Sequence, residues 1–208
     1  MRHLLLILLI SNQIIAQKKL DTGIVKPDSN FSCKDYTFID PIYGLHSFID
    51  SIYKISNICD SKNQIEIRIT TSYAPTQMFD IVILSYNNNN WEGRKYEFNV
   101  DTLYYDSTLN ADAGKIKVSR LKTIIGFDNI FNTLKKNNIF SLPNKNEIKN
   151  KPHGPTDGLI YSLTFKVDHN FRTYKFDNPR YYIEHSKNKI FRNYYNIIEL
   201  LSEKLVKE

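Results

Sequence analysis

The sequence predicts an α+β fold: an antiparallel, meander-like sheet of about five to seven strands, packed against N-terminal, middle and C-terminal helices. Three observations carry that reading. Leu159, Tyr161, Leu163, Phe165 and Val167 are apolar at every second position, the period of a strand with one face on a core. Turn signals such as Asp157-Gly158 and the asparagine run Asn87 to Asn90 separate runs of this kind. Two other stretches have helical spacing instead, one around Phe127 and one from Ile190 to the end of the chain.

Taken in order, the chain begins with a basic Met1-Arg2-His3, an apolar run from Leu4 to Ile10, and a polar Ser11 to Gln17 that contains Ala16. That is the order of a secretory signal peptide, so residues 1–17 are expected to be removed. The apolar run is far short of the ~20 residues a membrane-spanning helix needs, and no later segment is longer. Residues 18–208 are then expected to form a single α+β domain, soluble and exported to the periplasm or beyond. Lys18 to Ser32 lacks periodicity and contains Pro27, which reads as an extended N-terminal arm. After Pro41, Leu45, Phe48, Ile49 and Ile52 recur at helical spacing. The only two cysteines, Cys33 and Cys59, flank that helix. In an exported chain an even pair suggests a disulfide, and closing a loop of this length contributes roughly 3–4 kcal/mol.

Strands follow. Ile65, Ile67 and Ile69 alternate with Glu66, Arg68 and Thr70, which predicts a strand with one face in water. Met78 to Tyr86 is apolar on both faces and should be central. With Asn87 to Asn90 as the loop, Phe79 falls opposite Phe98 and Ile81 opposite Tyr96. Leu103-Tyr104-Tyr105 continues the sheet or begins a return, and Ile116 to Ser119 reads as a short strand. Phe127, Ile130, Phe131 and Leu134 mark a helix, with Lys135-Lys136 suited to its C-terminal dipole and Asn137-Asn138 to its end.

The stretch from Gly158 to Phe176 is expected to be a β-hairpin. An even loop, such as Asp168-His169 or His169-Asn170, puts Leu163 and Phe165 on one face with Tyr174 and Phe176. Asn178-Pro179 stops the second strand, and Tyr181-Tyr182-Ile183 reads as a short extended piece. The final helix carries Ile190, Phe191, Tyr194, Ile198, Leu201 and Leu205 on one stripe.

Composition sets limits on function. The formal net charge is +6, but Lys, Asn and Ile are heavily used throughout and the basic residues are dispersed, which disfavours nucleic-acid binding. No phosphate-cradling loop, dinucleotide fingerprint, His-Glu-x-x-His or Gly-x-Ser-x-Gly is present, and the cysteines are too far apart for a redox motif. No cofactor and no metal site is expected. The one plausible polar constellation lies at the base of the hairpin. There His153, Asp157, Glu184 and His185 are candidate acid–base residues, with a histidine as base and a carboxylate orienting it. His169 is excluded from it, because a strand of this length puts the hairpin tip about 30 Å away. Tyr161, Arg180, Tyr181 and Tyr182 are the candidate binding residues at the same end, tyrosine being apolar in body and polar at its tip.

The succession of helix, Phe140-x-Leu142-Pro143, Asp157-Gly158-x-x-Tyr161, Arg172-x-Tyr174-x-Phe176-x-Asn178-Pro179 and terminal helix resembles small exported proteins of unknown function from Bacteroidota-type bacteria. The resemblance covers about residues 127–205. It implies a fold and says nothing of activity. The function expected is therefore a non-enzymatic envelope protein that binds another protein, a glycan or an apolar ligand. The alternative is a small hydrolase built on the base-of-hairpin cluster.

Overall fold

The structure is a computed structural model and describes residues 55–74, 78–99, 117–155 and 157–208. The extended arm, Cys33, the helix expected from Leu45 to Ile52, and Leu103 to Tyr105 lie outside the described residues.

Seven strands form one antiparallel sheet: β1 (Ile65–Ala74), β2 (Met78–Asn87), β3 (Asn90–Asn99), β4 (Lys117–Thr123), β5 (Gly158–Val167), β6 (Asn170–Asp177) and β7 (Leu205–Lys207). Among the described residues three α-helices accompany it: α1 (Phe127–Lys136), α2 (Pro179–His185) and α3 (Lys189–Lys204). The strand order is β6-β5-β1-β2-β3-β4-β7, which puts the doubly apolar β2 in the middle. Strands β1 to β4 make the expected meander. The chain then passes through α1, and the β5–β6 hairpin pairs with the far side of β1. After α3 it returns to the other edge, where β7 pairs with β4.

Both hairpins have the expected registers. Phe79 faces Phe98 and Ile81 faces Tyr96, but the turn is tighter than four residues, because Asn87 and Asn90 already pair. Asn88 and Asn89 both have positive φ, the left-handed conformation that asparagine tolerates and a two-residue hairpin requires. In the second hairpin Val167 pairs with Asn170 and Leu163 with Tyr174, so the loop is Asp168-His169, with Asp168 at positive φ. The even count puts Leu163, Phe165, Tyr174 and Phe176 on one buried face.

All three helices lie on that face. Ring contacts run in a row across it: Tyr86 to Trp91, Trp91 to Phe131, Phe131 to Phe140, Phe140 to Phe165, Phe165 to Tyr174, and Tyr174 to Tyr194. Each link joins residues that are distant in sequence or on different elements. The Trp91 indole also donates to Asp128 at the first turn of α1 (3.0 Å). A side chain at Gly93 would press on Leu121 and Phe127, so glycine lets α1 approach the sheet closely.

The structure corrects three expectations. Glu66, Arg68 and Thr70 do not face water; all three are buried on the sheet face opposite the helices. Glu66 accepts from Arg68 Nε (2.7 Å), Asn63 Nδ2 (2.7 Å) and Ser61 Oγ (2.5 Å), and Arg68 Nη2 donates to the Ser56 carbonyl (2.6 Å). The alternation is genuine, but a charged pair can be buried where its members bond each other and further polar partners. The final stripe also ends early: the helix stops at Lys204, and Leu205 enters the core as the first residue of β7. Finally, Tyr181 to Ile183 is helical, for a reason that belongs to the site described next.

Candidate functional site at the base of the β5–β6 hairpin

Asn178 builds this end of the molecule. Its backbone is left-handed (φ 41°, ψ 51°), which ends β6, and Pro179 follows at the first helical position of α2. Proline there loses nothing, since its missing N–H would be unpaired anyway, and its φ suits a helix. That local geometry outweighs the strand preference of Tyr-Tyr-Ile. The Asn178 side chain then closes the hairpin base, donating to the Asp157 carbonyl (2.9 Å) and accepting from the Leu159 N–H (3.1 Å). Gly158 has φ +123°, and a Cβ there would collide with the Asn178 carboxamide, so glycine is required on both counts.

The candidate residues do gather at this end, but their side chains are used separately. His153 is exposed, and its backbone carbonyl, rather than its imidazole, accepts from the Tyr181 hydroxyl (2.7 Å). Asp157 is exposed and lends its carbonyl to Asn178. Glu184 pairs with Arg180 one helical turn earlier, at 3.4 Å, with both side chains largely in water. His185 places Nδ1 2.8 Å from the Tyr181 carbonyl, and its ring stacks on that of Tyr181 (centroids 4.1 Å apart, 17° between planes). Among the described residues no group of three or more His, Cys, Asp or Glu is placed to hold a metal ion. The geometry lends no support to a base paired with an orienting carboxylate.

The four candidate binding residues divide evenly. Arg180 is exposed and Tyr181 half-buried at the surface. Tyr161 and Tyr182 belong to the core. Tyr161 lies on the helix-covered face of β5 and stacks on Phe176 (5.4 Å), while Tyr182 stacks on Phe191 of α3 (4.7 Å). Gly154 lies so close to the Tyr182 hydroxyl that a Cβ would run into it. Among the described residues the buried Tyr194 hydroxyl has no hydrogen-bond partner. Burial, with the Glu147 carboxylate nearby, pushes the Tyr194 pKa up, and both effects favour its neutral form.

Sequence reasoning missed Lys145. The short 3-10 turn Lys145–Glu147 is closed by a capping box between Asn144 and Glu147, and Asn144 Oδ1 also accepts from the Lys175 N–H (2.9 Å) at the open edge of β6. This positions Lys145 Nζ 2.6 Å from Asp177 and 5.2 Å from the Tyr182 ring centroid. Partial burial lowers the Lys145 pKa, but Asp177 and the Tyr182 hydroxyl together outweigh it and the net shift is upward. The Asn-x-x-Glu spacing was the readable signal. A shallow, open depression of about 760 Å³ lies elsewhere, on the outer side of α1, lined by Ile125, Asn129, Asn132, Thr133, Lys135 and Lys136. None of the candidates reaches it.

A search against protein-family models finds no match for the chain, and a search of curated proteins finds none either. No helix among the described residues is long and apolar enough to cross a membrane.

Proposed function

We propose that the chain is an exported, soluble cell-envelope protein acting as a non-enzymatic binding module, with the outer side of α2 as its contact face. The observation that carries this is the stacked Tyr181–His185 pair. It presents a flat aromatic surface, fixed by the Tyr181 bond to His153 and flanked by the exposed charges of Arg180 and Glu184. A ring face of this kind takes the apolar side of a sugar or side chain, while the guanidinium and carboxylate at its rim supply polar contacts. The partner class is therefore a glycan, a protein segment or an apolar ligand. Soluble cell-wall oligosaccharides and envelope peptides, titrated against the mature protein by NMR, form the test. Arg180→Ala and His185→Ala should each weaken binding about tenfold, the equivalent of roughly 1.4 kcal/mol, with little change in urea midpoint. Unchanged affinity in both variants would remove α2 as the contact face.

The same reading includes loss of the signal peptide and a Cys33–Cys59 disulfide. What supports the bond is the even pair of cysteines in a chain read as exported; Cys59 itself is partly buried beside Ile58 and Phe171. The resemblance over residues 127–205 is also to exported proteins. Intact mass of the natively produced protein, without reductant, should show a chain that starts at residue 17 or 18 with no alkylatable thiol. A full-length product with two thiols would defeat both parts.

A further inference from the structure

We infer that His185 sets the specificity of the α2 face: its neutral ring carries the proton on Nδ1 and offers a bare Nε2 to a hydroxyl of a sugar stacked on that ring. The inference rests on the reading of α2 as the contact face. Its starting point is a tautomer fixed by geometry. His185 Nδ1 lies 2.8 Å from the Tyr181 carbonyl, and a carbonyl oxygen only accepts, so Nδ1 must donate. A neutral imidazole has one N–H, which leaves Nε2 as an acceptor. Among the described residues nothing bonds Nε2, and His185 is exposed. Turning the ring over would put a carbon against the carbonyl and lose the bond. The ring also rests on Tyr181 (centroids 4.1 Å apart, 17° between planes). Tyr181 is held in turn by its bond to the His153 carbonyl (2.7 Å) and by the edge of Tyr182 (5.5 Å, 90°).

The arrangement favours a sugar over a peptide or an apolar molecule. Tyr181 and His185 are one helical turn apart, and so are Arg180 and Glu184. The stack and the ion pair therefore run side by side along about 5.4 Å of helix, a platform suited to a single ring. Beside it stand an acceptor at Nε2, a carboxylate at Glu184 and a donor at Arg180. A sugar hydroxyl both donates and accepts, so neighbouring hydroxyls of one ring can meet all three. A peptide N–H only donates and a peptide carbonyl only accepts, and an extended peptide docks along a sheet edge or in a groove. An apolar ligand needs enclosure, whereas α2 offers an exposed helix side and the depression described above lies on α1.

Two measurements test this. The first needs no ligand: nitrogen NMR of the histidine-labelled protein, at a pH where the ring is neutral, should show the His185 proton on Nδ1. A proton on Nε2 would overturn the inference and leave the contact-face reading untouched. The second follows the His185 signals during titration with a soluble N-acetylglucosamine oligomer. His185→Phe keeps a flat ring on Tyr181 and deletes the acceptor. It should weaken binding about tenfold, as the loss of one hydrogen bond does. Parent-like affinity in His185→Phe would overturn the acceptor role, with α2 still the contact face if Arg180→Ala and His185→Ala bind more weakly. A response to an envelope peptide but not to the oligomer would put a peptide in place of the sugar. Silence from both would remove α2 as the contact face, and this inference with it.

Discussion

Phe165→Ala is expected to destabilise the protein by about 3–5 kcal/mol, and Phe176→Ala by a similar amount. Phe165 is fully buried, with its ring 5.0 Å from Phe140 and 6.4 Å from Tyr174; Phe176 stacks on Tyr194 at 4.1 Å. Removing either ring forfeits its transfer energy and leaves a cavity that the neighbouring aromatic side chains cannot fill. His153→Ala, by contrast, removes an exposed imidazole and leaves the carbonyl that Tyr181 uses, so it should stay within about 0.5 kcal/mol. Urea midpoints of the three variants check this. If the Phe variants were as mild as His153→Ala, the hairpin face would not be core.

The second large effect is expected at the buried pair. Arg68→Met or Glu66→Leu alone should cost about 3–5 kcal/mol, because each leaves the other charge buried without its main partner. Both side chains are 6 % exposed and 2.6 Å apart, so water cannot replace the missing group cheaply. The double variant should cost much less than the sum, since it removes both charges from the interior. Ser61 and Asn63 lose their acceptor in it, so some cost remains. Denaturant titrations of the three variants form a double-mutant cycle, and simple additivity would mean the pair is not coupled.

The sequence made it legible which residues of each hairpin share a face, though not the length of the first turn, and the reason is parity. Side chains alternate strictly along a strand, so one wrong count at Asn87–Asn90 or Asp168-His169 would turn Phe98 or Tyr174 to the wrong face. The α1 helix was equally readable from its caps and stripe. Three features were hidden. Alternation tells which residues share a face but not whether that face is covered, which is why it does not disclose the burial of Glu66 and Arg68. The three residues of β7 are too few to show a period, and Leu205 suits a helix stripe as well as a strand. At α2 the decisive information was the left-handed backbone of Asn178, which Tyr181-Tyr182-Ile183 does not disclose. The candidate site was legible only as a neighbourhood. The chain does bring His153, Asp157, Glu184 and His185 to one end of the hairpin, but backbone carbonyls and helix neighbours, which carry no sequence signature, decide how they are used.

The position of β1 bears on how the molecule is made. Its pairing with β2 is local, whereas its pairing with β5 joins residues about a hundred positions apart, a contact whose loop-closure entropy is met late. During synthesis from the N-terminus, β1 to β3 can zip together while the other edge of β1 still waits for a strand not yet made. That edge carries unpaired backbone groups and three isoleucines, a template for another chain. Until residues 158–167 arrive, self-association competes with folding, and β5 acts in effect as an internal chaperone for β1.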